Sequence, residues 1–284
     1  MDVKIIQLIK LGFYLMCSVV MISCETIGYY SQAAQGQLGL ILQRQNIDEL
    51  VSARNIPEDL KHKLEDIERI KNFAEVNLGL PVGDNYSSYV DVERDYLVWN
   101  VFAAPEFSTK PSTWCYPFAG CVSYRGYFSK DRALRYAKNL ENQGFDVYTG
   151  GVAAYSTLGW FDDPITSTII NRSSNQLARL IFHELAHQVV YIPGDTTFNE
   201  SFATSIERFL VERWLQEEGR SGELDILNAA WIRQHELLDL VNRTKHNLAE
   251  VYQNNRSEER KRQVKHDLLE ELRKKYLVLH SGWQ

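Results

Sequence analysis

Two histidines four residues apart, set beside an apolar stripe, mark the stretch from about Ser174 to Val190 as a helix. In a helix, residues i and i+4 lie one above the other, so His183 and His187 face the same way. Leu177, Leu180, Ile181 and Leu185 recur at helical spacing beside them, which predicts a helix packed into a core. Burying imidazole and carboxylate groups is unfavourable unless they are paired or bound to a metal. The segment His183-Glu184-Leu185-Ala186-His187 therefore reads as two nitrogen ligands for one ion. Glu184 sits one position round, able to reach a water on that ion without occupying a coordination site.

A third ligand is needed, and it should lie on a following helix that turns back. Beyond His187 comes Phe198-Asn199-Glu200-Ser201-Phe202-Ala203, at the predicted start of a helix from about Asn199 to Gln216. Two His and one Glu leave the fourth tetrahedral position of a zinc ion open, as a catalytic site requires. The helix dipole alone also favours an acidic residue at such a start. Glu207 competes for the role, but it lies about 10 Å further along the helix axis. Ligand bonds near 2 Å cannot accommodate both. The Asn-Glu-x-Phe-Ala context and the helix-start position assign Glu200 to the metal, one Zn2+ per chain. Glu207 is left to orient a ligand or to form an ordinary helix pair, the second being preferred.

The first two dozen residues differ from the rest. Lys4 and Lys10 precede an uncharged run from Leu11 to Ser23, about 20 Å as a helix and short of a hydrocarbon core of about 30 Å. Residues 1–23 read as a secretory signal of lipoprotein type, because Val20-Met21-Ile22-Ser23-Cys24 resembles a bacterial lipobox. The thiol of Cys24 would then carry a lipid anchor, with the body, residues 24–284, facing the periplasm. Glu25 after Cys24 inclines the reading to the outer membrane. An ordinary cleaved signal or an uncleaved helical anchor remain as alternatives, and both put the body outside the cytoplasm. With Cys17 in the signal and Cys24 acylated, Cys115 and Cys121 are left to pair in an oxidising compartment or to remain two buried thiols. Their spacing suits neither a redox pair nor a zinc ribbon.

Residues 24–45, rich in Gln, Gly and Ala, read as a tether passing into a first helix. Pro57 opens a helix to Val76, closed by Gly79, Pro81 and Gly83. Residues 86–104 read as strand, Ser129 to Asn142 as helix and Phe145 to Ser156 as strand again. From Leu224 the pattern is helical, and residues 224–284 form a charged C-terminal part. Strands before residue 160 and helices after it give an α+β class, mainly helical, with a small mixed sheet ahead of the helix that holds His183. A net charge of −6 excludes a typical nucleic-acid binder.

These motifs resemble those of gluzincins, the zinc peptidases that include aminopeptidase N and thermolysin. The chain is more closely similar to a bacterial family of lipobox-bearing predicted aminopeptidases, from Cys24 to about Leu215. That resemblance runs through Leu78-Gly79-Leu80-Pro81, Trp99-Asn100-Val101, Gly120-Cys121-Val122-Ser123-Tyr124-Arg125-Gly126-Tyr127-Phe128 and Ala154-Tyr155-Ser156-Thr157-Leu158-Gly159-Trp160-Phe161. It implies a zincin-like fold, hydrolysis of peptide or protein substrates, and Glu184 as the group that activates water. Aminopeptidase N-like enzymes bind the substrate amine with a glutamate on a strand. The matching segment Gly150-Gly151-Val152-Ala153-Ala154-Tyr155 has no acidic residue, which leaves Asp162 or Asp163 for that task or makes the chain an endopeptidase. Tyr155, then Tyr191, are the candidates to stabilise an oxyanion, against a plain packing role for each. A non-catalytic envelope lipoprotein that keeps zinc is the rival from another class. His62, His235, His246, His266 and His280 read as surface residues.

Overall fold

The computed structural model describes residues 26–116, 120–154 and 162–283. Cys24 and Tyr155, and with them the anchor and the first oxyanion candidate, lie outside the described residues. The class is α+β and mainly helical.

The N-terminal stretch differs from the tether that its polar composition suggests. Residues 26–42 form a helix, α1, and it is docked. Gln32 is buried, accepting from the Phe128 N–H at 3.0 Å and donating to the Gly126 carbonyl at 3.4 Å. Leu40 packs with Val90, Leu97 and Val98. Polar residues here satisfy backbone groups of the sheet rather than water.

After α1 come β1 (Gln45–Asn46), α2 (Ile47–Ser52) and α3 (Glu58–Asn72), which runs on as a π-helical turn over Phe73–Asn77. β2 (Ser88–Val90) and β3 (Val98–Pro105) replace the single strand read over 86–104. The interruption has a local cause: the Asp91 carboxylate accepts the Glu93 N–H at 3.0 Å, and Glu93 takes φ +50°. That side chain-to-backbone turn competes with the ladder. β4 (Trp114–Tyr116), β5 (Gly120–Val122) and β6 (Arg125–Tyr127) are short, and Cys115 and Cys121 face each other across β4–β5, joined by a disulfide. α4 (Lys130–Asn142) starts at its Ser129 cap, and Gly144 at φ +85° turns the chain into β7 (Phe145–Val152). β8 is Ile165–Thr166.

Instead of one mixed sheet there are three small ones among the described residues. β1-β2-β8 is mixed, β6-β3-β7 is antiparallel, and β4-β5 is a hairpin. α4 covers one face of β6-β3-β7 through Val101, Ala103, Ala133, Ala137 and Leu140.

Four helices complete the chain: α5 (Ser174–Val189), α6 (Thr196–Glu217), α7 (Leu224–Gln253) and α8 (Glu258–Ser281). The main core lies among α3, α5 and α6, where Ile67, Ile70, Phe73, Leu177, Ile181, Phe182, Leu185, Val211 and Trp214 are buried. α7 and α8 form a long antiparallel hairpin. Its root enters the main core at Leu227, and its tip reaches the far end of β3 and β7. There Arg262 makes a two-pronged pair with Glu106, at 2.5 and 2.9 Å, and Lys265 pairs with Asp146. No helix among the described residues is long and apolar enough to cross a membrane.

Candidate metal centre

α5 begins with a reciprocal cap: the Ser173 hydroxyl accepts the Gln176 N–H while the Gln176 side chain accepts the Ser173 N–H. The helix buries Leu177, Ala178, Ile181, Phe182 and Leu185 on the core side. Its other face carries Arg179, His183, Glu184 and His187, as the periodicity requires.

The return of the chain depends on Asn199. Its side chain is buried, accepting the Ile192 N–H at 2.8 Å and donating to the Ile192 carbonyl at 2.8 Å. Gly194 takes φ +86°, and the Asp195 carboxylate caps α6 through the Phe198 N–H at 3.0 Å. This cap starts α6 three residues ahead of the position read from the pattern. The closed turn swings Glu200 back over α5. His183 Nε2 lies 3.3 Å from Glu200 Oε2, and His187 Nε2 lies 3.7 Å from Glu200 Oε1. One ligand atom from each of the three residues falls within 4.8 Å of the others. A tetrahedral ion with bonds of 2.0–2.2 Å would hold neighbouring ligand atoms about 3.3–3.6 Å apart, so the donor set fits a divalent ion after small side-chain adjustments.

Glu207 is not an ordinary helix pair. It is buried, with Oε2 3.2 Å from His183 Nδ1 and Oε1 accepting from Arg179 Nε at 2.5 Å. With Nδ1–H donating to Glu207, His183 keeps its Nε2 lone pair for an ion. The preference between its two readings is thus reversed: Glu207 holds the His183 ring rather than forming an ordinary helix pair. Arg179, four residues before His183 on the same face, completes the chain of contacts. His187 lacks such support, since its Nδ1 is buried with no partner among the described residues.

Electrostatics split the two imidazoles, whose ring centroids are 4.9 Å apart. The Glu207 hydrogen bond raises the His183 pKa against burial, helped by Glu184 and Glu200. Burial and the neighbouring His183 lower that of His187. Burial would raise Glu207, but the hydrogen bonds from His183 and Arg179 outweigh it and hold the carboxyl below its ordinary value.

Glu184 lines a narrow cavity with Tyr86, Asp163 and Leu180. Tyr86 is fully buried, and burial, then Glu184 and Asp163, push its phenol well above the ordinary range. It stays a donor. Asp163 is buried while Asp162 is exposed. The Asp163 N–H donates to Asn85 Oδ1 at 3.0 Å, and the Tyr86 N–H to the Asp163 carbonyl at 2.7 Å. Tyr191 is exposed, its ring centroid 6.4 Å from that of His187. Tyr124, in the β5–β6 connection, is raised by burial and then by Tyr29, Tyr191, Glu200 and Glu184, so that connection lies within electrostatic reach of the centre. The five other histidines are exposed, as read.

Sequence reasoning missed Arg179, Asn199, Tyr86 and Tyr124. Arg179 had a signal in its helical spacing from His183, and Asn199 in its place beside Glu200. Nothing local marks the two tyrosines, which arrive from distant elements.

A family model described as "Putative aminopeptidase" matches residues 28–284. The chain belongs to this family. The aminopeptidase match runs through α7 and α8, well beyond Leu215, where the motif resemblance stops. The family's description suggests a peptidase. No curated protein and no solved structure matches the chain.

Proposed function

We propose that the chain is a zinc-dependent peptidase of the cell envelope that cleaves peptide bonds, with His183, His187 and Glu200 holding one zinc ion. The observation that carries this reading is the convergence of His183 Nε2, His187 Nε2 and the Glu200 carboxylate, with Glu184 next in the helix. Two imidazoles and one carboxylate are a borderline donor set that suits zinc and leaves one tetrahedral position open. When bound, zinc supplies Lewis-acid polarisation of the substrate carbonyl. Glu184 accepts a proton from the attacking water and delivers it to the leaving amine. Glu207 and Arg179 keep the His183 ring in one tautomer and one orientation.

The family description supports an aminopeptidase. Among the described residues of the 150–155 segment there is no carboxylate for a substrate amine, which leaves that role to the buried Asp163, a residue that lines the same cavity as Glu184. Lys4, Lys10, the uncharged run 11–23 and Cys24 support a lipid anchor, with the body in the periplasm. Metal analysis of the purified chain, joined to digestion of a peptide library, tests the function. About one zinc per chain with cleaved peptides is expected. Zinc without cleavage of any peptide would instead mark a non-catalytic envelope protein.

A further inference from the structure

A second cavity, of about 290 Å3, lies beside His183 along α5, and its wall is cationic. It is lined by Arg172, Gln176, Arg179, Leu180, His183 and Glu207. We propose that this cavity receives a carboxylate of the peptide substrate, with Arg172 and Arg179 as its cations. The inference rests on the peptidase reading and names the substrate class: peptides with a carboxylate one or two residues from the scissile bond.

The charge count on the cavity wall carries the argument. Glu207 is its one acidic residue, and both of its oxygens are committed, one to Arg179 Nε and the other to His183 Nδ1. That contact engages only one edge of the Arg179 guanidinium, and its remaining N–H donors have no partner among the described residues. The Arg172 side chain is exposed and makes no ion pair or hydrogen bond among the described residues. A planar fork of donors next to a neutralised carboxylate is the arrangement that binds a second carboxylate.

Reach agrees with charge. Arg179 precedes His183 by four residues, about 6 Å along the helix axis. One residue of extended peptide spans about 3.3–3.6 Å, so a carboxylate one or two residues from a bond held at the metal reaches the level of Arg179, and Arg172 lines the same cavity further along. The cavity volume lies at the small end of ligand pockets, suited to one terminal residue or one side chain rather than a long segment. On the other side of Leu180 the wall carries Glu184 and Asp163, so an anionic group is steered away from that side and toward the arginines.

The test uses the full chain with zinc, carrying Glu184→Gln so that bound peptides survive. Calorimetry compares Leu-Gly-Gly with its C-terminal amide, and Leu-Glu-amide with Leu-Gln-amide. The acid of at least one pair should bind about tenfold tighter, about 1.4 kcal/mol, with the gap narrowing as salt rises. A gap in the first pair assigns the chain terminus, and a gap in the second assigns an acidic side chain. Adding Arg172→Gln should shrink the gap to under about threefold, and Arg172→Lys should restore part of it. Zinc content is measured on every variant. Equal binding of acid and amide in both pairs overturns the proposal, as does a gap that survives both Arg172→Gln and Arg179→Gln. Hydrolysis by the chain with Glu184 intact is scored separately. An absence of cleavage therefore tells against the peptidase reading, while an absence of charge preference tells against this one alone.

Discussion

Glu200 and Glu207 stand seven residues apart on α6 and contribute to the centre in different ways, which a pair of truncations separates. Glu200→Ala removes a donor atom that stands 3.3 Å from His183 Nε2 and 3.7 Å from His187 Nε2. Zinc held by four protein donors is bound by about 10–16 kcal/mol, or about 3–4 kcal/mol for each donor. Losing one therefore weakens binding by a factor on the order of 10²–10³. Glu207→Ala leaves all three donors but frees the His183 ring, a change that weakens metal binding about 10- to 100-fold. Alanine is the best helix former, so neither change disturbs α6 through propensity. Burial separates the two further: the Glu200 side chain is 57% exposed and that of Glu207 is 8% exposed. Glu207→Ala should accordingly lower the melting temperature of the metal-free chain, and Glu200→Ala should leave it close to that of the parent. The assay is competition for zinc against a chromophoric chelator at neutral pH, with melting followed on the same samples. If Glu207→Ala strips the metal and Glu200→Ala does not, the ligand assignment is wrong and Glu207 is the donor.

Glu184→Gln should keep about one zinc per chain and lose peptide hydrolysis, because the amide preserves shape but takes no proton; metal analysis and peptide digestion read the two halves. Asn199→Ala deletes two hydrogen bonds of 2.8 Å to Ile192, a residue water can reach, so a loss of about 1–2 kcal/mol in chemical denaturation is expected, with weaker zinc binding. In the metal-free chain, His183 should titrate above 6.5 and His187 below it by imidazole NMR, and Glu207→Ala should bring His183 down. The raised His183 stabilises the fold below its ordinary value of 6.5, and this contribution is lost as pH rises through the folded value. Cys24→Ala should abolish labelling by a lipid precursor; unchanged labelling would remove the anchor.

The parts of this architecture that were legible in the sequence are those written in short-range pattern. α5 declared itself by its apolar stripe and the spacing of its histidines, and α4 by Ser129 and Gly144. The convergence of His183, His187 and Glu200 was readable because their spacing on two successive helices is itself local. The break between β2 and β3 was not, since a single Asp91-to-Glu93 turn overrides a run of strand-forming residues. The docking of α1 was hidden for the opposite reason: Gln32 looks like a solvent-facing residue until the sheet supplies its partners, and Arg125 until α1 brings the Tyr29 ring under it. The role of Glu207 fell between these cases. Its spacing from His183 gives no hint of contact, and only the antiparallel packing of α5 on α6 brings it to Nδ1.

The helical hairpin has a mechanical consequence. β6-β3-β7 meets the main helical body at one end, where Ala153 and Ala154 pack against its core, and meets the hairpin tip at the other. Besides the docking of α1 and α4, the sheet is thus held at both ends, and the second hold sits at the start of α8, at the tip of a hairpin whose first arm, α7, is about 45 Å long. The two holds differ in kind. One is apolar packing, insensitive to salt, while the other adds partly exposed ion pairs to the Phe107–Tyr252 ring contact, and those pairs weaken once ions screen them over about 8–10 Å. Tyr124 adjoins that sheet, whereas His183, His187 and Glu200 all belong to α5 and α6 in the helical body. Rising ionic strength should therefore loosen the hold of the hairpin tip on β3 and β7 while leaving the contacts among His183, His187 and Glu200 in place.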